Sequence, residues 1–316
     1  MWTQATSWMA ERQVALYLLA LLGGAVIGSA DPLVAGPTEA LITPVLGLLL
    51  YATFLAVPFG RIGRALRDRR FLLTVFALNF IVVPVVVWLL TRGIASDDAL
   101  YVGVLFVLLA PCVDYVIVFT GMAGGAADRL LGATPLLMLA QLVLLPMWLQ
   151  LFAGPEVVAS VDVLPFFSAF LWLIVVPLIA AAVTQRVGRT GTAVMRGMDG
   201  LMVPLMMVTL FVVVASQITR VSGRWSDLLA VVPVFLGFAL VMALLAELAG
   251  SRAQLDIPGQ RAVVFTAVTR NSLVVLPLVL ALPVAYELSA LVVVTQTLVE
   301  LVVMVVMVRV VPRWVR

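Results

Sequence analysis

Four residues set in apolar surroundings carry groups that hydrocarbon does not accommodate unaided. Cys112 and Asp114 lie in Ala110-Pro111-Cys112-Val113-Asp114, Arg270 in Thr269-Arg270-Asn271, and Glu300 in Leu298-Val299-Glu300. Ionisable side chains at membrane depth are costly, and where they occur they mark substrate paths, ion paths and proton relays. Cys112 is the only cysteine; its thiol is a soft nucleophile and ligand, although in isolation such a residue reads as a small buried hydrophobe. Asp114 and Arg270 are opposite charges able to pair, whether as a structural bridge or as part of a substrate site. Gln296, Thr297 and Glu300 are three and four residues apart and so share one helical face. Glu300 has no cation near it in sequence, and a carboxyl so placed either takes and releases protons or serves helix packing.

These side chains can meet only if the helix carrying Cys112 is interrupted. Pro111 lacks the N–H that would bond one turn back, and its ring clashes with the carbonyl there; the span is therefore expected to bend or unwind at that point. On a regular helix Cys112 and Asp114 would face away from each other, and a local break is what lets both enter one cavity. The proline argument does not carry to the second segment, where Pro277 lies six residues past Asn271. Arg270 still needs compensation, and an ion pair with Asp114 where two helices cross is the expectation. Asn79, Gln141 and Gln217 read as interhelical hydrogen-bonding residues.

The chain that positions them has 316 residues, of which 64% are hydrophobic and 11% charged, with a mean hydropathy of +1.21. Soluble domains carry about 25% charged residues, so the lipid bilayer is the expected partner. There is no histidine, and all 19 basic residues are arginine. Histidine metal sites and histidine general bases are thereby excluded, and one cysteine allows neither an intramolecular disulfide nor a multi-cysteine metal cage. No cofactor or metal is expected, the net charge of +3 is not read as nucleic-acid binding, and without a Ser-His or metal-ligand set the chain is not expected to be an enzyme.

A helix needs about 20 apolar residues to cross the hydrocarbon. Ten such segments are expected, at 14–30, 40–58, 71–91, 99–121, 132–153, 164–183, 201–219, 228–249, 262–282 and 286–308. With both termini on one side, that side collects 15 of the arginines, among them Arg61, Arg64, Arg67, Arg69 and Arg70 in one loop, and the opposite side holds only Arg92, Arg220 and Arg224. The positive-inside rule then puts both termini in the cytoplasm of a multi-pass protein of the cell (inner) membrane.

Pro44 and Pro204 stand at matching depths in the second and seventh spans, each followed by an apolar run and an arginine pair, Arg61 with Arg64 and Arg220 with Arg224. Their offset is close to half the chain. Two repeats of five spans, at approximately 11–153 and 164–310 within a single integral membrane domain of residues 1–316, would be inverted relative to each other because five is odd. Inverted repeats with broken helices at the midplane are a recurrent design of secondary transporters, and the scheme pairs the fourth span with the ninth.

Ala110-Pro111-Cys112, Thr269-Arg270-Asn271 and Leu298-Val299-Glu300 together resemble the arsenite permeases of the bile acid/arsenite/riboflavin transporter superfamily, over essentially the whole chain. The resemblance implies an all-α membrane fold like that of the bile acid sodium symporters: ten transmembrane helices in two inverted five-helix repeats, with crossed, discontinuous fourth and ninth helices. It also implies transport roles for Cys112 and Glu300. The chain departs from the family pattern in placing Asp114 after the cysteine, and in carrying Arg270-Asn271-Ser272-Leu273 where the family has an Asn-Asn-Phe-Glu type of run.

Arsenite at neutral pH is mainly an uncharged trihydroxide with a thiophilic centre. One thiol gives a single reversible bond, and conduction requires binding weak enough to release. Cys112, Asp114, Asn271 and Glu300 are the expected substrate contacts, with Glu300 and Asp114 as the ion-coupling groups. Three functions follow: arsenite efflux by proton exchange, sodium-coupled uptake of a small organic anion held by Arg270, and a receptor or scaffold built on a transporter-like body.

Overall fold

The computed structural model describes residues 8–9, 12–56, 68–113, 115–160, 171–218 and 225–316. Asp114 and the arginine pairs Arg61/Arg64 and Arg220/Arg224 lie outside them. Among the described residues the helices are α1 (Gln13–Ala30), α2 (Ala35–Ala56), α3 (Arg69–Ala77), α4 (Val83–Leu90), α5 (Asp98–Leu108), α6 (Tyr115–Met122), α7 (Ala127–Ser160), α8 (Val176–Thr184), α9 (Gly188–Gln217), α10 (Trp225–Arg252), α11 (Ile257–Val268), α12 (Ser272–Leu280) and α13 (Glu287–Trp314). Short π-helical turns at Leu78–Val82 and Leu171–Val175 precede α4 and α8.

Six helices among the described residues are long and apolar enough to cross a membrane: Ala35–Leu55, Arg69–Gly93, Leu136–Gly154, Gly188–Ser216, Trp225–Arg252 and Val284–Trp314. Two of the remaining expected spans are divided. The span at 99–121 becomes α5 and α6, of 11 and 8 residues, and that at 262–282 becomes α11 and α12, of 12 and 9 residues. None of these halves reaches the ~20 residues a crossing needs.

The chain falls into two compact units that interleave along the sequence: Met1–Ala56 with Val163–Trp225, and Val57–Asp162 with Ser226–Arg316. In the first unit, α9 packs on α1 and α2. The approach to α1 is close because Gly24 and Gly28, one turn apart, present no side chain. A Cβ on Gly24 would sit 2.6 Å from the Phe211 carbonyl oxygen, and one on Gly28 would sit 2.5 Å from that of Ala215. Without a hydrophobic force between helices in lipid, such small-residue seams supply the van der Waals contact that holds them.

The second unit is built around α5 and α11. All of α5 from Ala99 to Leu108 is buried, as is α11 from Ala262 to Val268, which is what apolar residues on every face demand. Helix α5 packs on α13, and the Ser289 hydroxyl donates to the Ala99 carbonyl at 2.6 Å. Two arginines pin the entry of α11. Arg129 bridges Asp68, at 3.4 Å, and Asp256, at 2.6 Å, and the hydrogen bond to Asp256 raises its pKa further. Arg261 donates to the carbonyls of Ala123, Pro312 and Val315 at 3.0–3.3 Å, tying the ends of α6 and α13 to α11.

Each π-turn precedes a proline, in Leu78-Asn79-Phe80-Ile81-Val82-Val83-Pro84 and in Leu171-Trp172-Leu173-Ile174-Val175-Val176-Pro177. A widened turn makes room for a ring that cannot donate into the ladder. Asn79 sits in the first of them.

Gly28→Val is expected to lower the thermal unfolding midpoint of the detergent-solubilised protein by several degrees, through about 1–3 kcal/mol of overpacking against α9. Gly36→Ala, whose Cβ would meet nothing within 4 Å, should leave the midpoint unchanged or slightly raised. Equal midpoints for the two variants would contradict the close seam.

Candidate functional site

Helix α5 stops at Leu108 and α11 at Val268, and their extended continuations meet. Pro111 and Arg270 form an isolated antiparallel backbone bridge. The Asn271 N–H donates to the Ala110 carbonyl at 2.8 Å, and the Cys112 N–H to the Thr269 carbonyl at 3.3 Å. The break at Pro111 is the one its proline anticipates. The break at Thr269–Asn271 has no proline, and is supported instead by the partners that the first break offers it. Asn271 then starts α12 by accepting the Val274 N–H on Oδ1 at 3.3 Å, as an N-cap does.

Arg270 is fully buried. Its Nη1 donates to the Leu108 carbonyl at 3.3 Å, and its Nη2 lies 2.7–2.8 Å from Asn79 Oδ1 and the carbonyls of Thr266 and Ala267. The Phe238 ring faces the guanidinium carbon at 5.3 Å. The pairing expected with Asp114 falls on a residue outside those described. Asn79 is an interhelical hydrogen-bonding residue, as its type suggests, but its role as an acceptor for Arg270 was not read from the sequence. The available signal was Pro84 five residues on, which sets the π-turn that carries Asn79.

The Glu300 carboxylate reaches the same crossing. Its Oε2 accepts the Arg270 backbone N–H at 2.8 Å and a hydrogen bond from Gln296 Nε2 one turn earlier. Among the described residues Glu300 is the one buried acid and Arg270 the one buried base. Thr297 does not join them; its hydroxyl donates back to the Val293 carbonyl at 3.0 Å. A cavity of about 10 Å³, measured as space open to a water's centre, lies beside Glu300 and is lined by Leu108, Phe235, Phe238, Val268 and Gln296 among others. That is room for about one water. Gln296 Oε1, Asn271 Nδ2 and Ser272 Oγ are buried and make no hydrogen bond among the described residues. Such groups are rare enough in native structures to suggest a ligand or water as the missing partner.

Cys112 is buried, with no exposed surface, on the strand-like segment of the crossing. Thus Cys112, Asn271 and Arg270 lie on one bridge between two interrupted helices, and Glu300 reaches it from α13. No group of three or more histidine, cysteine or acidic residues able to hold a metal occurs among the described residues.

A helical membrane protein with two interrupted helices crossing at buried polar groups has the architecture of a transporter. Residues 43–224, more than half of the chain, match the sodium bile acid symporter family. The chain belongs to that family, and is a multi-pass membrane transporter of the bile acid symporter type, with a small solute as substrate and an ion coupled to its movement. Cys112 lies inside the matched stretch, and Arg270 and Glu300 lie beyond it. No curated protein matches the chain.

Asn79→Leu removes one acceptor of a buried cation and is expected to cost about 1.5–3 kcal/mol, the range of hydrogen bonds to charged groups. The thermal midpoint should fall, and Cys112 should react at least several-fold faster with a membrane-permeant maleimide as the crossing loosens. Asn271→Ala should cost about 1 kcal/mol through loss of the α12 cap, and an unchanged midpoint would deny Asn271 that role.

Proposed function

We propose that this protein exports arsenite from the cytoplasm in exchange for protons. It does so as a ten-span carrier of two inverted five-helix repeats in the cell membrane, with both termini cytoplasmic. The observation that carries the reading is the bridge itself: the segment holding the only thiol, Cys112, bonds to the segment whose amide is held by Glu300. A soft ligand and a proton-accepting carboxylate are thereby joined through two residues of backbone.

Arsenous acid can bind by exchange at sulfur, Cys112–SH + As(OH)₃ giving Cys112–S–As(OH)₂ + H₂O, which is reversible and consumes no redox equivalent. The unsatisfied donors of Asn271 and Ser272 suit the remaining hydroxyls. Glu300, beside a water-sized cavity, suits proton uptake from the far side. With one thiol, arsenic is held by a single bond and can leave. The cargo is carried unchanged, so the chain acts as a carrier and not as an enzyme. Uptake of an organic anion on Arg270 is less well supported, because the Nη groups of that side chain are engaged by four oxygen acceptors.

Everted membrane vesicles with an imposed proton gradient are the test. Arsenite accumulation should occur in the wild type, fall at least tenfold in Cys112→Ser, and lose its dependence on the gradient in Glu300→Gln. Absence of uptake in the wild type under any proton gradient would sink the proposal, and accumulation retained in Cys112→Ser would remove the thiol from the path.

A further inference from the structure

The surroundings of Arg270 are those of a cation site. Leu108 ends α5, and Thr266 and Ala267 lie in the last turn of α11, so the guanidinium sits where the C-termini of two helices converge. Each C-terminus carries roughly half a negative charge on carbonyls without an intrahelical donor. Two of them amount to about one negative charge, which one monovalent cation balances. The donors are those a small hard cation would use: three backbone carbonyls and the side-chain oxygen of Asn79. Carbonyls at half-helix ends are a general means of coordinating alkali ions inside transporters. The face of Phe238 adds the attraction of a π-system for positive charge.

We infer that this oxygen nest is a monovalent-cation site filled by the chain's own Arg270, and that removing the guanidinium uncovers a site for a free cation. The tethered charge does at the crossing what a bound alkali ion would otherwise do: it satisfies the carbonyls of α5 and α11 and holds the two breaks in register. The nest therefore gains nothing from sodium in the wild-type protein. The inference concerns the crossing alone and does not depend on the identity of the transported solute.

The test is thermal unfolding of the full-length, detergent-solubilised protein in sodium chloride, in methylguanidinium chloride and in choline chloride at equal ionic strength. The wild type should show no saturable rise in midpoint in sodium or methylguanidinium over choline, beyond the general lowering that guanidinium salts cause. Arg270→Ala should unfold well below it in choline, and regain on the order of 5 °C, saturably, in sodium or methylguanidinium, the shift expected when a ligand binds only the folded state. A folded Arg270→Ala that responds to neither ion would overturn the inference, as would a saturable sodium response in the wild type. If Arg270→Ala does not assemble, Arg270→Gln, neutral, polar and shorter than arginine by two heavy atoms, is prepared with and without methylguanidinium. Recovery only with the cation supports the site, and recovery independent of it, or failure in both, refutes it.

Discussion

Every feature of the second unit depends on a single constraint: a helix interrupted in hydrocarbon leaves backbone donors and acceptors that water cannot reach. Each helix end exposes up to four such groups, and each one buried without a partner costs on the order of 1–3 kcal/mol or more. Two interruptions in isolation would be prohibitive. Brought face to face, they answer one another, with Ala110 accepting from Asn271 and Thr269 accepting from Cys112. Glu300 takes the amide of Arg270, and the Arg270 side chain takes carbonyls that the bridge does not. The chemistry of the site is thus inseparable from backbone bookkeeping, since the groups that hold the crossing are also the polar groups available to a solute.

Arginine is the instrument at both ends of α11. Arg261 gathers the carbonyls of Ala123, Pro312 and Val315, and Arg270, nine residues on, gathers those of Leu108, Thr266 and Ala267. A lysine ammonium is a compact point charge, whereas a guanidinium presents five donors in a rigid fork. The fork can serve several carbonyls from different helices at once. In a chain without lysine, this property lets one helix fix the ends of three others, α5, α6 and α13.

Much of this was legible in residue types, and the reasons for the rest are physical. Pro111 announces its break because proline cannot be accommodated in an unbroken ladder. The break at Thr269–Asn271 carries no such mark, because its cause lies in the partners supplied by a segment about 160 residues away, and carbonyls have no residue type. Gln296 and Glu300 declared their contact through helical spacing. Thr297 shares that spacing, but its hydroxyl bonds its own helix, a competition that spacing alone does not resolve. Arg270, a charge in an apolar span, has to be compensated on physical grounds, but its residue type does not say by what. Its acceptors include Asn79, 191 residues away, brought within reach on a π-turn whose only trace in the sequence is a later proline.

The interleaving of the two units bears on the order in which the chain can be made. Helices α1 and α2 belong with residues 163–225, yet residues 57–162 of the other unit are synthesised in between. At about 5–20 residues per second, α1 must wait on the order of 10–40 s in the bilayer with its glycine seam uncovered before α9 emerges to fill it. Helix α5 waits in turn for α11 and α13, with the carbonyls at its end unanswered until Arg270 arrives. Neither unit can close before the later part of the chain is inserted, so during its own biosynthesis this protein is a set of helices that must tolerate the membrane before they have one another.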